Sequence, residues 1–146
     1  MPSSSIRVLI VDDYAPWHRF VWWTLQKQPE LQVIGEVSDG SEAVRKAQLL
    51  PDLILLDIGL PTLNGIEAAR RIREHVPKSK ILFVSGNYSV DVVEAALSTG
   101  ADGYVVESGG ASELLPAMEA VLQGKQFVSA SLRDHNFSAP MKDQAA

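Results

Sequence analysis

Short apolar and β-branched runs recur along the chain at Ile6–Val11, Val33–Val37, Leu53–Leu56, Ile81–Val84 and Tyr104–Val106. They start about 20 to 28 residues apart, the length of one strand-plus-helix unit. Between them the apolar positions change to helical spacing. Runs that are apolar almost throughout predict parallel strands covered on both faces. Val33–Val37 differs, because it holds Gly35 and Glu36; it predicts an outer strand.

The helical stretches are punctuated. The first runs from about Ala15 to Gln28 and stops at Pro29, with Trp17, Phe20, Val21 and Leu25 at core spacing. Trp22 and Trp23 cannot both face inward beside them, so at least one is expected on the surface. The second opens with Asp39-Gly-Ser-Glu42, an acidic cap with Glu three residues on, and ends before Pro51. Its inner face is Ala43, Ala47 and Leu50. The third starts near Asn64, turns Ile66, Ala69, Ile72 and Val76 inward, and ends before Pro77. The fourth follows Ser89 with Val90, Val93 and Leu97 inward, and stops at Gly100. The fifth starts near Ser112 and buries Leu115, Met118 and Leu122. Pro116 then falls early, where helix amides are unpaired anyway.

Five strands alternating with five helices predict a three-layer, doubly wound α/β sandwich. Right-handed crossovers and an outer second strand favour a flavodoxin-like parallel sheet of order 2-1-3-4-5. One domain over residues 1–132 is expected. From Arg133 periodicity ends, and 133–146 reads as a disordered C-terminal tail.

Composition narrows the classes. At 146 residues, 46% apolar and 21% charged, the chain is an ordinary globular one, not a coiled coil, a collagen or a disordered chain. With no cysteine there is no disulfide framework, thiolate zinc site or cysteine nucleophile. Asp+Glu number 18 against 13 Lys+Arg, a net charge of −5. That balance is poor for gripping a phosphate backbone, and the basic run Arg70-Arg71-Ile72-Arg73 reads as a solvated helix face. No direct nucleic-acid binding by this chain is expected. No apolar run reaches a membrane span, and the start lacks the pattern of a secretory signal; a cytoplasmic domain with no membrane contact is expected.

In open α/β sheets, ligands bind beyond the carboxyl ends of the strands, where strand order reverses. Here that point lies between the first strand, ending in Asp12-Asp13, and the third, ending in Asp57. Like charges about 4 Å apart repel by about 4 kcal/mol at an effective dielectric near 20. A hard cation relieves this, and carboxylate oxygens suit Mg²⁺. Asp39 and Asp102 read as cap or loop residues. Ser85-Gly86, ending the fourth strand, offers a hydroxyl and room for close backbone approach.

Asp12-Asp13, Asp57-Ile-Gly-Leu-Pro61 with Asn64-Gly65, Ser85-Gly86 and Gly100-Ala-Asp-Gly-Tyr104 together resemble the receiver domain of two-component response regulators. The resemblance covers about residues 6–130 and is strongest to the branch usually attached to helix-turn-helix output domains. It implies that Asp57 accepts a phosphoryl group from a histidine kinase or phosphotransfer protein. It implies Mg²⁺ held by Asp13, Asp57 and the backbone carbonyl of Gly59, with Asp12 acting through water. It implies a hydrogen bond from Ser85 to the phosphoryl group. Tyr104 is then the switch aromatic, signalling through the strand 4, helix 4, strand 5 face.

One position departs from the family. Where the fifth strand normally ends in a lysine, this chain has Glu107. Lys125 lies beyond the last helix and is no obvious substitute. Glu107 swings into solvent, serves as an extra metal-facing carboxylate, or weakens and rewires the phosphorylation switch.

Three functions compete: a phosphoacceptor module, a degenerate receiver used as a binding scaffold, and a Mg²⁺-dependent small-molecule phosphatase. The aspartyl phosphatases place a second Asp two residues after the nucleophile, both after strand one; Asp12-Asp13-Tyr14 lacks that spacing. The phosphoacceptor is thus not a turnover enzyme. A homodimer and a downstream protein partner are the remaining expectations. Whether the chain is a stand-alone receiver or a truncated one is open at this point.

Overall fold

The structure, a computed structural model, describes residues 5–133. The strands are β1 (Ile6–Val11), β2 (Leu31–Val37), β3 (Leu53–Leu56), β4 (Lys80–Ser85), β5 (Gly103–Val106) and β6 (Phe127–Val128). The helices are α1 (Ala15–Gln26), α2 (Gly40–Lys46), α3 (Gly65–His75), α4 (Val90–Leu97) and α5 (Gly110–Leu122). All strand pairs are parallel, in the order β2-β1-β3-β4-β5-β6. The flavodoxin-like order expected for five strands holds, and a sixth strand extends it at the β5 edge. Two residues are too few to show a period of two, so Phe127–Val128 gives no strand signal by itself.

Strand alternation divides the core into two layers. Leu9, Val11, Ile54, Leu56, Ile81, Phe83, Tyr104 and Val106 meet α2, α3 and α4 through Ala43, Ala69, Ile72, Val93 and Leu97. Val8, Ile10, Leu53, Leu55, Leu82, Val84 and Val105 meet α1 and α5 through Val21, Leu25, Leu114, Ala117, Met118 and Val121. The strand β2 lies at the sheet edge, as its Gly35 and Glu36 predict. Its register to β1 shifts after Val8, from Val33 to Gly35.

The helix faces need four corrections. Leu50 is 63% exposed: α2 tightens into a 3-10 turn over Ala47–Leu49, and Leu50 takes a left-handed φ of 59° that swings it outward. Val90, in the first turn of α4, is exposed and outside the core. The helix α5 begins at Gly110, ahead of Ser112, so its buried face is Leu114, Ala117, Met118 and Val121, flanked by the half-buried Leu115 and Leu122. Pro116 therefore stands inside the helix, where it cannot bond the Ser112 carbonyl; it lies on the exposed side. On α1, both Trp22 and Trp23 are exposed, in agreement with the expectation that at least one would be.

Arg70 and Arg71 pair with Glu67 at 3.2 and 3.3 Å on the solvated face. Arg73 differs: it donates to the carbonyls of Pro77, Ser79 and Gly100 and to Asp102, tying α3 to the start of β4 and β5. No described helix is long and apolar enough to cross a membrane. Of the expected tail, residues 134–146 lie outside the described residues. Arg133 is anchored by its Nε to the Val128 carbonyl at 2.7 Å.

Candidate functional site

The sheet brings the acidic residues together through its own ladder. The Asp57 amide donates to the Val11 carbonyl at 3.0 Å, and the Asp12 amide to the Val37 carbonyl at 3.0 Å. Each aspartate thus continues a strand by one residue, and β1 and β3 are neighbours. Asp12, Asp13 and Asp57 each place a carboxylate oxygen within 4.8 Å of the others. Asp12 and Asp57 are buried, 4% and 9% exposed, and Asp13 is open to solvent.

Burial and mutual repulsion strain these groups. Desolvation pushes the Asp12 carboxyl up to about 7, with the charges of Asp57 and Glu107 adding and the Tyr14 amide opposing. That amide donates to Asp12 Oδ1 at 2.7 Å. Asp57 is also raised, first by burial and then by Asp13; the Ile58 amide and the Ser85 hydroxyl pull the other way. The Ile58 amide donates to Asp57 Oδ1 at 2.7 Å. Two buried carboxylates with few donors form an oxygen set suited to a hard divalent cation.

The remaining predicted residues lie around this cluster. Ser85 is buried at the end of β4, and its hydroxyl accepts from the Asn87 amide at 3.1 Å. Gly59 stands in the exposed turn after β3. Tyr104 is fully buried on β5, and burial holds its phenol up at about 12. Glu107 opens a 3-10 turn over Glu107–Gly109. Its Oε1 lies 3.5 Å from where a Cβ on Gly86 would stand, so the carboxylate leans over the β4 end. Burial and the Asp57 charge raise it. Among the described residues, the cluster holds the three aspartates without Glu107.

Close packing shapes the loop after Asp57. A Cβ on Gly65 would stand 1.9 Å from the Asp57 carbonyl oxygen, so α3 can begin there only with glycine. The Asn64 side chain caps that helix, accepting from the Glu67 amide at 3.0 Å. Asp39 likewise caps α2, and Asp102 accepts from the Ile81 amide, the structural roles expected of both.

Sequence reasoning missed two neighbours of the cluster and one strained residue in the loop after β3. His18 Nδ1 lies 3.2 Å from the Asp12 carbonyl oxygen and Nε2 lies 2.7 Å from Glu36. Arg19 lines a recess with Asp12, Asp13 and His18. Both follow Asp13 within the first two turns of α1, and that proximity was the available signal. Thr62 has a φ of 63°, unusual for a β-branched residue. Its hydroxyl meets Asp39 Oδ1 and Ser41 Oγ at 3.2 and 3.1 Å. Nothing in the local sequence marks that conformation.

The family model of the response regulator receiver domain matches residues 8–119. The transcriptional regulatory protein DegU of Brevibacillus brevis is 33% identical over 127 residues, covering 86% of this chain and 54% of that protein. LiaR of Bacillus subtilis, also a transcriptional regulatory protein, is 36% identical over 82% of this chain and 57% of its own length. The crystal structure of a LuxR-family two-component response regulator from Aurantimonas sp. SI85-9A1 superposes with a TM-score of 0.85 at 28% identity, covering 98% of this chain and 100% of that one. The chain spans about half the length of the curated relatives it matches.

These relatives correct one expectation. An exclusion of nucleic acid drawn from the net charge of −5 does not stand beside relatives that are transcriptional regulators by name. For such a family, a charge balance summed over one matched stretch does not decide whether DNA is bound. The match over residues 8–119, with a relative more than 30% identical over most of the chain, makes this chain a member of the response regulator receiver family of two-component systems.

Proposed function

We propose that the chain is a phosphoacceptor module in which Asp57 takes a phosphoryl group from the phosphohistidine of a histidine kinase. In that step the P–N bond to the imidazole breaks, a P–O bond to the Asp57 carboxylate forms, and the imidazole leaves to recover a proton. The observation that carries the reading is the convergence of three aspartates within 4.8 Å at the carboxyl ends of β1 and β3. In this reading the receiver unit is residues 1–132.

Asp13, Asp57 and the Gly59 carbonyl would hold Mg²⁺, with Asp12 assisting through water. The ion supplies charge neutralisation for the transferring group. The protein's own residues do the rest. The Ile58 amide fixes one Asp57 oxygen and leaves the other as nucleophile. Ser85 donates to the phosphoryl oxygens once the group is in place. Tyr104 answers by changing the face formed by β4, α4 and β5. Treatment with acetyl phosphate and Mg²⁺ tests this: intact mass should rise by one phosphoryl group. An unmodified wild type, or an Asp57→Asn variant that is still modified, would refute it.

A second reading is favoured by Glu107, whose carboxylate leans over Gly86 where the family resemblance calls for a cation. In that reading the chain is a phosphorylation-independent binding module. Partner binding that survives Asp57→Asn unchanged would favour it.

A further inference from the structure

After α5 the chain returns to the free edge of β5, where its fastening exceeds a two-residue pairing. The Phe127 amide donates to the Asp102 carbonyl at 3.2 Å, and the Ser129 amide to the Tyr104 carbonyl at 3.0 Å. Ser129 is buried. Its hydroxyl accepts from the Val106 amide at 2.8 Å and donates to Glu113 Oε1 at 2.5 Å. The second oxygen of Glu113 accepts from the Ala130 amide at 2.9 Å. Gly103 permits the approach, since a Cβ there would stand 2.6 Å from the Phe127 carbonyl oxygen. Leu132 then enters the core beside Val106. Arg133 closes the strap over the Phe127 ring at 5.1 Å.

The strap grips β5 at two residues linked to the loops around the carboxylate site. One is Tyr104, whose hydroxyl reaches the Asn87 carbonyl in the loop after β4. The other is Val106, which directly precedes Glu107, whose carboxylate leans over Gly86 at the end of β4. The Ser129 hydroxyl uses its donor and its acceptor in this single arrangement. If the end of β5 moves relative to α5, the hydroxyl cannot keep both the Val106 amide and the Glu113 carboxylate, and a buried polar group left without a partner is unfavourable.

We propose that Ser129 and Glu113 are positioning residues that lock the end of β5, and that the strap of residues 127–133 carries the occupancy of the carboxylate site along the chain. The proposal deepens the phosphoacceptor reading and rests on it. Coupling of this kind is reciprocal: a ligand that tightens the strap is bound more weakly, by the same factor, when the strap is cut loose.

Amide hydrogen exchange on the full chain tests it, with Mg²⁺ alone and with Mg²⁺ plus beryllofluoride. Exchange in residues 127–133 should slow about fivefold with beryllofluoride, the low end of typical coupling. Ser129→Ala and Glu113→Ala should abolish that response and weaken beryllofluoride half-saturation by the same factor. Glu113→Gln keeps an acceptor for the Ala130 amide and should retain most of the response. Glu113 is half-exposed on the first turn of α5, so its variants serve even where Ser129→Ala fails to fold. Strap exchange that ignores both ligands, while the segments around Asp12 and Asp57 respond, would overturn the proposal and leave the site reading intact. A response in neither place would remove both.

Discussion

The Tyr104 hydroxyl donates to the backbone carbonyl of Asn87 at 2.5 Å, bridging the centre of β5 to the loop that follows β4. The same loop is held from its other side, where the Asn87 amide donates to the Ser85 hydroxyl. The conformation of residues 86–89 is therefore fixed jointly by a β5 side chain and by the Ser85 hydroxyl at the end of β4.

Tyr104→Phe should keep the ring packing against Phe83, whose centroid lies 6.0 Å away, and lose the hydroxyl's bond to Asn87. The expected cost is about 1 kcal/mol in urea unfolding, with faster amide exchange confined to residues 86–89. The phenol also adds a pH dependence. Its folded value of about 12 lies above the ordinary 10.0, so between these values the folded chain keeps a proton that the unfolded chain releases. Stability should fall through that window, and Tyr104→Phe should flatten the fall.

Asp12 gives a second window. Its carboxyl is pushed from 3.8 up to about 7 by burial, so between these values the folded state binds the proton more tightly. Stability without divalent ions should fall as pH rises through that interval and level off above it. Asp12→Asn should raise stability at pH 8 by roughly 1–3 kcal/mol, measured by urea titration in chelator. Added Mg²⁺ should stabilise the wild type at that pH through ligand linkage and stabilise the variant less.

Reversing the charge at Glu107 should strengthen anion binding beside Asp57. Repulsion between a carboxylate and an anion at the β4 end becomes attraction when the side chain carries an ammonium. Glu107→Lys should therefore bind beryllofluoride, with Mg²⁺ present, at least about tenfold more tightly, and Glu107→Gln should fall between. Isothermal titration gives the comparison; equal affinities in all three chains would remove Glu107 from the site's electrostatics.

Gly65→Ala would force a methyl to within 1.9 Å of the Asp57 carbonyl oxygen. The start of α3 must shift, at a cost of about 1–3 kcal/mol. Mg²⁺ affinity should drop with it, because the same loop carries Asp57 and Gly59. Parallel thermal melts with and without Mg²⁺ would show both effects.

Much of this was legible in residue order. A buried parallel strand must be apolar on both faces, and three of the five runs announce themselves that way. Residue order already brings Asp12, Asp13 and Asp57 together, because topology alone places the ends of β1 and β3 side by side. Helix faces were less secure. The true start of α5 at Gly110 moves its buried stripe to Leu114 and Val121, and a periodic pattern with two apolar neighbours at each step does not choose between them. Leu50 breaks its helix's spacing because it takes a left-handed φ of 59° itself, which local periodicity does not encode.

The order of apolar runs and aspartates by itself determined the layered sheet, its strand order and the acidic rim, because these follow from local periodicity and right-handed crossover. Only the tertiary structure decided where Glu107 leans, that Thr62 bridges to Asp39 and Ser41, and that Ser129 and Glu113 fasten a sixth strand against β5. Those outcomes depend on side chains far apart in the chain competing for the same buried donors, acceptors and space, and no spacing rule along the sequence encodes that competition.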